Sequence, residues 1–458
     1  MVSTPTRQVP DRVVSAALFA ICLAYFMVIL DSTIVNVALP ALRDDLGSSV
    51  SGLQWVVDGY LLVLAALLLT GGALADRLGA RRVFQAGLGV FVVASLGCGL
   101  APTIPVLVIA RLVQGAGAAL AVPASLALLR AAYPDAATRA RAIGVWGGIA
   151  GGAAAAGPIL GGLLVSAVNW RLVFFVNVPI GLASMLLTAK FVPHPDRRPR
   201  ALDLAGQIVE VLALTALTFT LIEGGRDGLT PAVVAGGVVF VVGLLAFVTI
   251  ERSVAHPMLP LGLFGRRTFS SGNTVGLLIN LGFYGQLFVI NLYFQQVRGY
   301  SALVAGLALL PQMGMATIGS ALSGRFTSSV GSPRPTMLIG LVCGAIGLLA
   351  LTITGAHTAY PVLVAPLVLA GFGMSFTMPA VTTAVVESVP AERSGLASGS
   401  INAARQVGSV IGVAVLGALV GTGPSIAGLR TALVIGAAVF LAGALLVAAA
   451  MPKEVAHD

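Results

Sequence analysis

Charge is what this sequence most lacks. Asp, Glu, Lys and Arg make up 9% of its 458 residues, against 57% apolar residues, and the only lysines are Lys190 and Lys453. A water-soluble fold of this length needs far more charged surface, so that class is set aside. Cysteine is nearly absent. Cys22, Cys98 and Cys343 each sit inside an apolar run; an odd, scattered set argues against a disulfide framework or a zinc site and leaves three small apolar residues. His194, His256, His357 and His457 are dispersed, without the clustering that acid–base or metal chemistry requires. There is no G-x-x-x-x-G-K-[ST] phosphate loop, and the loops are too short to hold an ATP-hydrolysing domain. An enzyme is therefore not expected, and neither is a cofactor or a metal. The ten-residue alternating segments of a membrane β-barrel are missing too.

What is present is a series of apolar runs, each long enough to cross a bilayer as a helix. They fall at 15–39, 52–74, 83–101, 105–130, 142–165, 171–192, 204–223, 230–250, 269–292, 301–323, 335–354, 361–386, 397–420 and 430–451, fourteen in all. The polar opening "MVSTPTRQVPDR" leads into a run too long for a signal peptide, with no A-x-A-like site at its end. We read it as a retained first span. The net charge of +9 is explained by orientation rather than nucleic acid. With both termini cytoplasmic, only Arg43, Arg171, Arg226, Arg298 and Arg430 fall in outer loops, Arg111 and Arg405 lie within spans, and every other Lys and Arg is inside. The expected site is the plasma (inner) membrane, multi-pass.

The chain repeats itself. "GGALADRL" (Gly71–Leu78) and "GSALSGRF" (Gly319–Phe326) end the second and tenth spans; "QGAGAALAVPA" (Gln114–Ala124) and "AGFGMSFTMPA" (Ala370–Ala380) lie in the fourth and twelfth. Both pairs are shifted by about 250 residues, which points to a duplicated half. The expected organisation is a six-helix bundle over 1–192, a linker with two inserted transmembrane helices over 193–268, and a second six-helix bundle over 269–458. Two bundles across a central cavity suit alternating access.

Several polar groups stand where the bilayer makes them expensive. Asp31 interrupts "FMVILDSTIVNVALP" (Phe26–Pro40), and Arg111 lies inside "LVIARLVQGAGAA" (Leu107–Ala119). Arg111 could snorkel, but charges within spans usually mark a pathway and need partners, and Asp31 is a candidate partner. In "GGALADRLGARR" (Gly71–Arg82), Gly72 and Gly79 would permit a tight helix–turn–helix, with Asp76 and Arg77 as a latch between halves rather than a mere topology anchor. "GGIAGGAAAAGPILGG" (Gly147–Gly162) has almost no side chains; small residues let helices approach closely, and Pro158 after Gly157 favours a kink. This reads as a deformable helix at the interface of the halves. Asn177 and Pro179 in "NWRLVFFVNVPIG" (Asn169–Gly181) are read as packing elements, with Trp170 and Arg171 as interface anchors. Glu210 is expected to have a lateral or packing role.

Together, "LDSTIVNVALP", "GGALADRLGARR", "RLVQGAGAA", "GPILGG" and "WRLVFFVNVPIG" resemble, in order and spacing, the signature motifs of the major facilitator superfamily. The chain is similar to its fourteen-helix drug–proton antiporter branch, including exporters of the methylenomycin-resistance type. "YFQQVRGYSALVAGLALLP" (Tyr293–Pro311) and "NAARQVGSVIGVAVLGA" (Asn402–Ala418) resemble that branch's second half. One departure is Ala153, standing where the family usually has glycine. The resemblance implies an all-α polytopic fold of two six-helix bundles plus two inserted helices. It also implies export of hydrophobic or cationic compounds, or an antibiotic, in exchange for protons.

Desolvation and a neighbouring cation pull a carboxylate's proton affinity in opposite directions, so a carboxylate in a wet, low-dielectric cavity exchanges protons near neutral pH. Asp31 suits that role best, with Arg111 as its partner; proton and drug would exclude one another by linkage. Candidate cavity residues are Tyr25, Phe26, Asp58, Tyr60, Trp146, Tyr284, Gln286, Asn291, Met313 and Arg405, because drug pockets are apolar and aromatic with few polar groups. The expected partners are the substrate, protons and lipid, with the protein acting as a monomer. A proton symporter importing a small solute and a non-transporting membrane sensor are the competing readings.

Overall fold

The computed structural model describes residues 11–133, 136–192, 203–254, 257, 259, 261–390, 394–420 and 425–451. His194, His256, His457, Arg7, Arg197, Arg198, Arg200, Arg393 and Lys453 lie outside the described residues. Regular structure among the described residues is entirely helical: α1 Asp11–Leu46, α2 Val50–Leu78, α3 Ala80–Gly99, α4 Ile104–Ala132, α5 Ala136–Ala167, α6 Leu172–Phe175, α7 Asn177–Phe191, α8 Leu204–Asp227, α9 Pro231–Ser253, α10 Arg267–Leu292, α11 Ala302–Ala308, α12 Leu310–Val330, α13 Pro333–Ala350, α14 Tyr360–Glu387, α15 Ser394–Val420 and α16 Ile426–Ala450, with single turns of 3₁₀ or π form at 261–265, 293–297 and 351–353. Among the described residues thirteen segments are long and apolar enough to cross a membrane, and α5 contributes a shorter apolar stretch, Gly152–Ala167. The chain is a multi-pass membrane protein.

Local chemistry sets the helix ends. Ser49, Thr230, Ser301 and Ser425 each accept a hydrogen bond from the backbone N–H three residues on, which satisfies a donor left free by the first turn. Between α2 and α3 the chain reverses over Gly79 alone, at φ +98°, a region other residues avoid. Gly72 is not part of that turn. It lies inside α2, where a Cβ would make only ordinary contact with Pro123. Asp76, half-buried, and Arg77, exposed, occupy the last turn of α2.

Two changes to the expected spans have clear causes. The first helix runs to Leu46, past Pro40, because a proline inside a helix removes one hydrogen bond without obliging the chain to stop. The sixth span is broken into α6 and α7 at Val176; Pro179 has no N–H to donate to the carbonyl of Phe175.

The sequence repeat is also a packing repeat. In the first bundle α1 packs on α5 and α7, while α2 and α3 pack on α4; in the second, α10 packs on α15 and α16, while α12 and α13 pack on α14. A Cβ on Gly71 would fall 2.0 Å from the Ala119 carbonyl oxygen, and one on Gly319 would fall 2.0 Å from Ser375 Oγ. Ala119 and Ser375 hold the same place in the two repeated segments. Inserted helices α8 and α9 pack on each other, and α8 touches α2 and α15 at the seam between bundles. Val234, Val238, Val242 and Leu245 of α9 are exposed, the arrangement of a helix bathed in lipid.

Candidate functional site

Asp31 is the centre of a closed polar cluster. It is fully buried, as are Arg111, Gln114, Asn177 and Ser95. Arg111 Nη1 donates to Asp31 Oδ2 at 2.5 Å, Gln114 Nε2 to Asp31 Oδ1 at 2.9 Å, and Asn177 Nδ2 to the same oxygen at 2.8 Å. The rest of the guanidinium is spent nearby: Nε donates to the Val56 carbonyl at 2.9 Å, Nη1 also reaches Gln114 Oε1 at 2.7 Å, and Cζ lies 4.3 Å from the centre of the Tyr60 ring. Ser95 Oγ accepts from Gln114 at 2.8 Å. Helices α1, α2, α3, α4 and α7 all contribute. Such a pair is tolerated in an apolar interior because each charge is met by the other and by further hydrogen bonds. Arg111 and Gln114 share a helix face at i, i+3 spacing, a signal present in the sequence. Asn177 was read there as packing, since nothing local ties it to Asp31.

Between the bundles is a cavity lined by Tyr25, Val28, Ile29 and Ser32 of α1, Tyr60, Leu61, Leu64 and Leu68 of α2, Val122, Tyr284, Asn402, Arg405 and Gln406. Asp31 does not line it. Of the expected cavity residues, Tyr25, Tyr60, Tyr284 and Arg405 do; Phe26, Asp58, Trp146, Gln286, Asn291 and Met313 are not on its wall. Trp146 stacks on Tyr25, ring centroids 3.8 Å apart. Gln286 and Gln312 exchange hydrogen bonds inside the second bundle, and Met313 is buried in the core. Asp58 is fully buried, with neither carboxylate oxygen bonded to a described residue. Among the described residues the only formal charge on the wall is the positive one of Arg405, and none of them offers a carboxylate there to a cationic substrate.

The cavity is shut at the end away from where α1 begins. Asn291 Nδ2 donates to the carbonyl of Asn36, and Gln295 Nε2 to that of Val37 at 3.0 Å. The Asn36 carbonyl is available because Pro40, four residues on, has no N–H to give it. Gln54 Nε2 donates to the carbonyls of Val413 and Ala414 at 3.1 and 3.0 Å, and Arg43 Nη1 to Gln296 Oε1 at 3.4 Å. The small residues of α5 complete the seal. A Cβ on Gly306 would meet the Pro158 carbonyl oxygen at 2.0 Å, and one on Gly162 would meet Leu303 Cα at 2.5 Å. Gly157 faces the other way, against Thr33 and Ile34 of α1. Pro158 thus lies at the contact between bundles, while Gly157 packs on α1 within the first bundle. Gln54, Gln295 and Pro40 were not singled out from sequence; the polar pair in "YFQQV" within an apolar run was the available signal.

Two helical bundles around a cavity closed at one end define a polytopic transporter-type membrane fold. The description Major Facilitator Superfamily matches residues 21–413 and 313–458, and the chain belongs to that family. It is 37% identical to a methylenomycin A resistance protein of Streptomyces coelicolor, over 90% of this chain and 86% of that one. It is 39% identical to the multidrug resistance protein Stp of Mycobacterium tuberculosis, over 89% and 76%. Among solved structures, a bacterial homologue of the human lysosomal transporter Spinster superposes with a TM-score of 0.67 at 16% identity, over 96% and 97%.

Proposed function

We propose that this protein is a proton-coupled exporter that moves a hydrophobic drug or antibiotic out of the cell by alternating access. The observation that carries the reading is the pairing of a membrane-buried Asp31–Arg111 ion pair with a cavity one helix layer away, shared by both bundles and closed at one end. Tyr60 links the two: it lies under the Arg111 guanidinium and also lines the cavity. The relatives whose names record antibiotic or multidrug resistance support the same direction of transport. The working units are residues 1–192, 193–268 and 269–458, in one monomer of the plasma membrane with both termini cytoplasmic. In that orientation the cavity faces the cytoplasm and the Asn291–Asn36 seal faces outward. Protonation of Asp31 would weaken its hold on Arg111, and the Tyr60 side of the cavity would register the change.

The test is uptake into inside-out vesicles energised by an imposed pH gradient, with a panel of lipophilic compounds. Uptake that collapses when the gradient is dissipated is expected. Uptake indifferent to the gradient would overturn the coupling, and absence of uptake across the panel would overturn export.

A further inference from the structure

Among the described residues the cavity wall has one formal charge and nothing on the wall to neutralise it. Arg405 Nη1 donates to Asn402 Oδ1 at 3.2 Å; the side chain makes no ion pair with a described residue, and its Nε is buried without an acceptor. Trp146, stacked on the cavity residue Tyr25, also has its indole N–H buried without an acceptor. Two donors thus lack acceptors at or beside one cavity, and buried unmet donors are costly. Asp31 cannot serve Arg405, because Arg111, Gln114 and Asn177 occupy it and it is 0% exposed. A guanidinium in low dielectric is best met by a planar oxyanion through paired hydrogen bonds, and Tyr25, Tyr60 and Tyr284 with the leucines of α2 offer a largely apolar bed for the rest of a molecule.

We propose that the substrates are amphipathic acids: compounds with a carboxylate or a comparable delocalised oxyanion on an aromatic or alicyclic body, the anion held by Arg405. This rests on the exporter reading and names its substrate class. A lipophilic cation would bring its charge against Arg405 and be disfavoured.

Three probes of one shape and different charge decide it: 1-naphthoate, neutral 1-naphthamide and 1-naphthylmethylammonium. Their equilibrium binding to the purified full chain is measured first, then their gradient-driven flux in inside-out vesicles. Naphthoate is expected to bind at least about tenfold more tightly than the ammonium, the scale of one charge-assisted contact. Arg405→Gln should erase that preference while naphthamide binding, which also reports that the variant is folded, moves less than about twofold. Arg405→Lys should retain part of the preference, since a point charge lacks the planar fork. Ammonium binding as tight as naphthoate, no detectable naphthoate binding, or a preference that survives in Arg405→Gln would each overturn the proposal. The two readings separate cleanly. Carboxylate-selective binding without flux upholds the substrate class and overturns the exporter; flux confined to the ammonium does the reverse.

Discussion

Arg111 and Arg405 each stand within an apolar helix, one in each bundle, and they are treated oppositely. Arg111 is enclosed: a carboxylate, a carboxamide, a backbone carbonyl and an aromatic face absorb it. Arg405 has one carboxamide partner on its own helix and faces the space between the bundles. The difference extends to their neighbours. Gln114 and Asn177 of the first bundle bond inward, on Asp31, while Gln54 reaches across to α15. Asn291 and Gln295 of the second bundle, and the turn after α10, bond outward to carbonyls of α1. Buried inward pairs of the second bundle, Gln286 with Gln312 and Ser400 with Asn273, are uncharged. The duplicated halves therefore differ in how they hold charge: the first encloses an ion pair in its own interior, and the second presents an arginine to the cavity that both halves line.

The largest effect that can test this division lies at Asp31. Asp31→Asn removes the charge that offsets Arg111, and a buried ion left without its partner costs about 3–5 kcal/mol. Gradient-driven transport in vesicles should vanish, and the unfolding midpoint in detergent should fall. Arg111→Ala should also impair coupling, seen as a changed pH-dependence of transport. The double variant Asp31→Asn with Arg111→Gln leaves no buried charge, so stability should largely return while coupling does not. Efflux retained in Asp31→Asn would sink the role of Asp31. Stability lost equally in the double variant would show that the cluster matters for packing and not for charge.

Much of this architecture is legible in the sequence because the bilayer makes it so. Apolar runs of the needed length mark the spans, and the repeat of Gly71–Leu78 in Gly319–Phe326 foretells equivalent helix contacts, since the same close approach requires the same small residue. Asp31 and Arg111 are conspicuous because charge within a span is rare. The partners Gln114, Ser95 and Asn177 were not assigned, because an uncharged polar residue on an apolar helix is commonplace and its partner is remote in sequence. The cavity was harder still. Phe26 and Tyr25 are adjacent, yet only Tyr25 lines it: a helix turns by a third of a revolution or so at each residue, and the sequence does not say which face meets the opposing bundle. Arg405 was found, but that its charge goes unanswered was visible only once Asp31 proved to be occupied.

A smaller effect is expected where the bundles touch. Asn291→Leu keeps the side chain's size and deletes the hydrogen bond to the Asn36 carbonyl, along with the one Asn291 Oδ1 accepts from Gln295, leaving the Asn36 carbonyl with neither Pro40 nor Asn291 to serve it. One net hydrogen bond is worth about 1 kcal/mol, so the ratio of closed to open conformers at this end should fall roughly fivefold. Spin-label distances between the ends of α1 and α10 report it as a larger population of long separations. The unfolding midpoint should scarcely change, because the bond joins bundles rather than holding either together. A fall in the midpoint as large as that of Asp31→Asn, with distances unchanged, would erase the distinction between inward and outward bonding.

Asp58 supplies the smallest expected effect and the sharpest control. It shares burial and residue type with Asp31, and it belongs to the same bundle, yet no described residue bonds to its carboxylate. It lies one turn from Gln54, which bonds across to α15, and off the cavity wall. Asp58→Asn keeps the shape, breaks no ion pair seen in the structure and removes no bonded charge, so its unfolding midpoint should not fall. Melting curves of Asp58→Asn and Asp31→Asn, measured side by side, make the comparison. If the two fall together, burial of an aspartate in this bundle is what matters, and the bonding pattern around Asp31 is incidental. If only Asp31→Asn falls, the cost belongs to the Arg111 pair, and the bundle's stability depends on that one closed cluster.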